Sequence, residues 1–280
     1  NGYLHGSSYA PIDVTELRRR VPPLTGGGPN SRLPIIGAMV HEEAAVCRHD
    51  GVAWGYARSA SSRGVEIHQH TEVKSLLRDT DGTIKGVETN RGTVLADKVA
   101  VVVSGHTTTI TETAGLRLPV KSFNLAAFVS EPVKPLINVI VNCPDLGVYL
   151  NQSDKGELVI GGAPDPGQSF RRDMKQNVFE DAVVTMLELF PAFRRLKLLR
   201  QWGGVLDIAH DATPIISTTD IPGLFVSCGW WGGFKAVPAG GYTLAHLIAT
   251  GQPHDIAAPF TLDRFRHLDF IVESGTTTAR

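Results

Sequence analysis

From residue 65 to residue 95, apolar and polar positions alternate in short runs broken by turn residues, the period of two expected of half-buried strands. Residues 65–68, 71–73, 84–89 and 93–95 predict strands. Asp79-Thr80-Asp81-Gly82 and Asn90-Arg91-Gly92 predict the turns of a small antiparallel meander. The run 98–104 differs, with Val99, Ala100, Val101, Val102 and Val103 continuously apolar, as in a strand buried on both faces of a parallel sheet. It ends in Ser104-Gly105, and ligands of open α/β sheets sit at such strand ends.

Helical spacing brackets this region. Ala53, Tyr56, Ala57 and Ala60 recur every three or four residues, with Asp50 as the expected N-cap and Gly64 as the stop. Over residues 176–190, Phe179, Ala182, Val183, Met186, Leu187 and Phe190 form one stripe, which predicts a helix facing a core. Longer strands are expected at 124–130, 139–142, 148–152 and 158–162. In the first, Phe123, Leu125, Ala127 and Val129 fall on one face. Residues 1–42 are rich in proline and glycine and read as a loop-rich connecting segment, with one short helix over 15–20 capped by Thr15. The fold class is α/β with an α+β admixture.

Composition narrows the function. The 280 residues are 42% hydrophobic, enough for a real core, and the formal net charge of −1 offers no basic surplus for nucleic acid or an anionic membrane. The three cysteines, Cys47, Cys143 and Cys228, are widely spaced, so neither a disulfide framework nor a zinc site is indicated. A reducing, cytoplasmic compartment is expected, with no membrane span and no metal. His106, His210, His246 and His254 show no ligand spacing and read as structural or surface residues.

The densest chemistry lies in Cys228-Gly229-Trp230-Trp231-Gly232-Gly233-Phe234-Lys235, between a strand at 224–227 and an apolar helical run at 242–249. Glycines let a backbone approach a planar or anionic ligand, and a helix start offers unpaired N–H groups. The same residues could equally make only the corner of an ordinary strand–turn–helix.

Read together with Arg48-His49-Asp50-Gly51-Val52-Ala53-Trp54-Gly55-Tyr56-Ala57-Arg58 and Tyr149-Leu150-Asn151-Gln152-Ser153-Asp154-Lys155-Gly156-Glu157, that segment resembles the beta-subunit family of heterotetrameric sarcosine oxidase. The resemblance runs from near Thr15 to the C-terminus, through Leu199-Arg200-Gln201-Trp202-Gly203-Gly204 and Leu262-Asp263-Arg264-Phe265. The wider group is the D-amino-acid-oxidase-like flavoproteins. The resemblance implies an incomplete, discontinuous FAD-binding domain over 43–117 and 200–280, Rossmann-like with a β-meander, and an antiparallel-sheet substrate domain over 118–199. It implies noncovalent FAD, contacted by Val73, Gly105, Gly232 and Gly233, and FMN held covalently by His49 with Arg48 as a contact. It places Lys235 on the carboxylate of sarcosine. The implied reaction is oxidative demethylation of sarcosine or a related N-methyl amino acid, with electrons passing from FAD through FMN to oxygen and giving hydrogen peroxide. The implied partners are alpha, gamma and delta subunits, one of them carrying folate.

Three departures accompany the resemblance. The family's opening strand–GxGxxG–helix unit, which receives the FAD pyrophosphate, is missing, so the chain is expected to be part of a longer protein. The glycine turn is one residue shorter than the family's, with Trp231 where a flavin-contacting glycine is expected, and Ala126 replaces a usual glutamine. A flavin-free assembly subunit and an oxidase using FAD alone therefore remain alternatives.

Overall fold

The alternation at 73–95 folds into the meander it predicts. In the computed structural model, which describes residues 8–29, 31–32, 34–162, 164–173 and 175–271, β3 (Val73–Arg78), β4 (Ile84–Thr89) and β5 (Gly92–Leu95) pair antiparallel in that order. The expected strand at 65–68 is not formed. That stretch joins none of the four sheets, and Val65 and Ile67 are exposed, since alternation makes a strand only where a neighbouring strand supplies a ladder. The chain divides into two units, residues 1–67, 125–165 and 171–204, and residues 68–124, 166–170 and 205–280.

In the first unit, β1 (Tyr9–Ile12) pairs antiparallel with β2 (Ala38–His41), which adds a two-stranded sheet where only loop was expected. Pro11 is tolerated because this two-stranded sheet has free edges. Between them α1 (Val14–Arg20) starts at Asp13, not Thr15. The Asp13 carboxylate accepts Glu16 N–H at 2.8 Å, whereas Thr15 already lies inside the helix. The helix α2 (His49–Ser61) follows, with Arg48 rather than Asp50 in the N-cap position and no buried residue.

The larger sheet has the order β11-β7-β10-β9-β8, formed by β7 (Val120–Pro132), β8 (Val141–Cys143), β9 (Val148–Gln152), β10 (Glu157–Gly161) and β11 (Leu198–Ala209). Along β7 the more buried row is Ser122, Asn124, Ala126, Phe128 and Ser130, not the row of Phe123, Leu125 and Val129. The polar members of that row can be buried where their hydrogen bonds are met: Ser130 Oγ donates to Glu131 O at 2.7 Å and accepts Leu158 N–H at 3.0 Å. The predicted stripe of α4 (Gln176–Leu189) packs on this sheet's core, with Met186, Leu189, Phe128, Leu150 and Leu158 buried together.

In the second unit, β6 (Val99–Val101), β12 (Ile215–Thr218) and β13 (Leu224–Cys228) form a sheet of order β12-β13-β6. β6 is parallel to β13 and β12 antiparallel to it. The expected strand through residue 103 is shorter because β6 is an edge. Val101 is buried, while Val102 and Val103 are exposed. Ile84, Val101, Ile215, Leu224 and Val226 form one core with Ile110 of α3 (Thr107–Thr111) and Phe265 of α6 (Asp263–Arg266), while Leu244 and Leu247 of α5 (Val237–Thr250) pack in a separate cluster with the alternate residues Ile216 and Phe225. No helix among the described residues is long and apolar enough to cross a membrane.

Candidate functional site

Because β6 and β13 run parallel in register, Val99 opposite Leu224 and Val101 opposite Val226, the chain leaves both at the same end of the sheet. This register brings together two of the segments chosen from the sequence: Ser104-Gly105 after β6, and the turn Gly229 to Lys235 after β13. Parallel strands expose their ligand-binding crevice at that carboxyl end.

The glycines there separate by cause. A Cβ on Gly105 would stand 2.2 Å from Val205 Cγ1 and 2.8 Å from Val205 O, so this glycine is required by the protein's own packing. Ser122 Oγ donates to its carbonyl at 2.6 Å. Gly233 and Gly240 lie against Trp230, a Cβ on Gly233 falling 3.0 Å from its indole and one on Gly240 2.7 Å from it, and Trp230 Nε1 donates to Ser227 Oγ at 3.0 Å. Gly232 is different. Its φ is +81°, which a glycine adopts freely, and a Cβ there would meet nothing within 4 Å. It is an open stretch of backbone that a planar ring could approach.

Lys235 lies in the 3-10 turn Gly233–Ala236, exposed, with its Nζ 3.4 Å from Gly232 O. The helix α5 then begins without a side-chain cap; Val237 N–H bonds Phe234 O and Pro238 has no N–H, so what this helix start offers beside the lysine is its partial positive charge rather than a row of free amides. Trp231, where a glycine is expected by resemblance, has φ +35° and is 40% exposed. The indole thus sits on a backbone conformation that favours glycine.

Asp207 carries no sequence signal, yet it organises this end of the sheet. It is 2% exposed; one carboxylate oxygen accepts Ser104 Oγ–H at 2.9 Å and the other accepts Gly229 N–H, while its carbonyl accepts Trp231 N–H at 3.1 Å. Neighbouring Cys228 is buried. Burial first, and the Asp207 charge second, push its thiol far above the usual range, so it is a packing residue.

The remaining candidates lie elsewhere. Val73 opens β3 opposite Thr89, half-buried in the meander. Arg48 and His49 belong to the first unit, exposed at the start of α2. Arg48 Nη2 is 3.5 Å from Asp50 Oδ2, and Asp50 is held below its ordinary value by the Gly51 N–H bond first and by Arg48 after it. Glu157 is also lowered, first by its bond with Ser153, with Arg48 contributing. Of these two carboxylates, Asp50 is the one within ion-pair distance of Arg48. A cleft of about 750 Å³ in the first unit, lined by Arg20, His41, Asn142, Asn151 and Lys155 among others, takes in part of the Tyr149–Glu157 segment but none of the candidate site residues.

The strand-end chemistry fits a dinucleotide flavin on one observation above all: open backbone at Gly232 beside a lysine and a helix start without a side-chain cap. At His49, the fit to FMN is that of an exposed imidazole beside a guanidinium.

Comparison with known proteins gives the family. A family model described as FAD dependent oxidoreductase matches residues 4–247. Sarcosine oxidase subunit beta of Rhodobacter capsulatus is 44% identical over 264 residues, 94% of this chain and 63% of the relative. That of Rhizobium meliloti is 42% identical over 273 residues, 97% and 65%. The chain thus spans about two thirds or less of the curated relatives it matches. Among solved structures, L-proline dehydrogenase from P. horikoshii superimposes with a TM-score of 0.83 at 24% identity, covering 95% of this chain and 71% of that one. Glycine oxidase from Geobacillus kaustophilus gives 0.81 at 22% identity, covering 93% and 68%. These two show the fold.

Proposed function

Because the chain belongs to the FAD-dependent oxidoreductase family, we propose that the protein it forms oxidises the carbon–nitrogen bond of sarcosine or a related secondary N-methyl amino acid. The observation that carries this reading is the strand-end turn, with Gly232 open and Lys235 beside a helix start that has no side-chain cap. FAD supplies the hydride acceptor when bound, and FMN on His49 supplies the exit for electrons to oxygen, which becomes hydrogen peroxide.

The chain's own residues do the holding. Lys235 offers a compact, mobile positive charge suited to a small carboxylate. Gly232 leaves room for the ring, and the partial positive charge at the start of α5 favours negative charge on it. His49 is the nucleophilic imidazole for the flavin link, and Arg48 favours both phosphate and negative charge nearby. Val73 and Gly105 lend backbone to the dinucleotide. As in the similar beta subunits, alpha, gamma and delta partners are proposed, with folate on one of them taking up the formaldehyde equivalent, in the cytoplasm.

The test is anaerobic addition of sarcosine to the intact purified complex, with acid precipitation of the protein alongside. Bleaching of the flavin absorbance, together with acid-stable flavin that disappears in His49→Ala, is the expected result. Flavin that stays oxidised removes sarcosine as substrate. Flavin that is entirely acid-extractable points to an oxidase using FAD alone. A reconstituted complex with no flavin absorbance means a non-catalytic assembly subunit, the reading that Trp231 favours.

A further inference from the structure

We propose that Asp207 is a positioning residue, a buried clamp that holds the two strand-end segments in the one arrangement able to receive a flavin; this rests on the FAD reading above. Three bonds define the clamp: Ser104 Oγ–H and Gly229 N–H to the carboxylate, and Trp231 N–H to the carbonyl. They join the exit of β6 to the exit of β13 through a residue near the end of β11.

The backbone it holds would not stay in place unaided. Ser104, Gly229, Trp231 and Gly232 all have positive φ, at 47°, 74°, 35° and 81°. Two of the four are not glycine, so the segment carries conformational strain that surrounding bonds must offset. Steric fit adds to the constraint. Gly229 packs so closely that a Cβ would lie 2.8 Å from that of Ala209, two residues beyond Asp207. A carboxylate buried to this depth is retained only where donors meet it, and both donors here come from the ligand-facing segments. Asp207 therefore acts on a flavin through Gly229 to Lys235, without contacting it.

The test compares the intact complex, stripped of its noncovalent flavin, with the same complex carrying Asp207→Ala, Asp207→Asn or Ser104→Ala. Without flavin, amide exchange over residues 224–236 is expected to speed up at least about tenfold in the alanine variant, since a charge-assisted bond is lost. It should stay near wild type in the asparagine variant, whose side-chain oxygen still accepts from Gly229, and lie between in Ser104→Ala. The meander at 73–95 should not change. Titrated with FAD and followed by flavin fluorescence and visible circular dichroism, the alanine variant should bind about 10- to 100-fold more weakly, with asparagine restoring most of the affinity and the band shape. Unchanged exchange at 224–236 in the alanine variant overturns the clamp whether or not flavin binds. Faster exchange with undiminished FAD affinity overturns the positioning role. A wild type that takes up no FAD, while the alanine variant still loosens the turn, sinks the FAD reading and leaves the clamp standing. Should the alanine variant fail to fold, Ser104→Ala decides: a turn as protected as in wild type overturns the clamp.

Discussion

Arg264 holds Asp211 with two parallel bonds, Nε to Oδ2 at 2.8 Å and Nη2 to Oδ1 at 3.0 Å, and neither side chain is more than 4% exposed. Two further guanidinium N–H groups go to Thr213 O at 2.7 Å and Thr261 O at 3.1 Å, so four of the five donors are engaged. Burial works against the Asp211 carboxylate, but the Arg264 hydrogen bonds and charge prevail and hold its pKa below the ordinary value. A lowered folded-state pKa contributes stability that is present above the unfolded value, about 4, and lost as the pH falls through the folded one.

Replacing Arg264 by Met is accordingly expected to cost about 3–5 kcal/mol at neutral pH, because it leaves a carboxylate buried without its partner. The deficit relative to wild type should narrow as the pH falls below about 4, where the variant's Asp211 is neutral and wild type is losing its ion pair. Urea unfolding at the two pH values checks this; a deficit independent of pH would mean that packing, not charge, sets the cost.

Gly105 and Val205 give a second prediction. The methyl of Gly105→Ala would overlap Val205, both its side chain and its carbonyl, and the expected loss is about 1–3 kcal/mol. Adding Val205→Ala should recover only part of it, since the carbonyl at 2.8 Å remains. Full recovery in the double variant, measured by thermal unfolding, would show that the backbone contact is unimportant.

These two relationships also show where the sequence was legible. The meander and α4 could be read because their signals are local: alternation between turn residues, and a stripe at helical spacing. The buried face of β7 could not, because Ser122 and Ser130 read as solvent-facing until their partners, Gly105 O and Leu158 N–H, are placed beside them. Asp207 meets Ser104 across 103 positions and Asp211 meets Arg264 across 53, and no periodicity carries information over such separations. The turn at 228–235 was recognisable from its glycines. Which glycine faces outward required knowing that Trp230 and Val205 account for Gly233 and Gly105.

The cysteines should react in a fixed order. Cys47 is exposed, Cys143 is half-buried with its thiol raised by burial and by Asp145, and Cys228 is buried and raised furthest. Because the thiolate is the reactive form, a thiol reagent at mildly alkaline pH should modify Cys47 first, Cys143 more slowly, and Cys228 only after denaturation. Peptide mass spectrometry over time checks the order. Early modification of Cys228 would contradict the closed strand-end packing around Asp207.

Lys235 separates binding from folding most cleanly. Its only described bond is the 3.4 Å contact to Gly232 O, and it is exposed, so Lys235→Met should change stability by no more than about 0.5 kcal/mol. If it pairs with a substrate carboxylate, the same change removes a charge-assisted bond and should raise KM for sarcosine about 10- to 100-fold in the intact complex. Lys235→Arg should recover little, because a planar, forked guanidinium does not reproduce a compact ammonium placed by this turn. Melting temperature and initial rates over a range of sarcosine concentrations measure both effects. An unchanged KM in a well-folded Met variant would move the carboxylate contact away from Lys235, and with it the functional assignment of the turn.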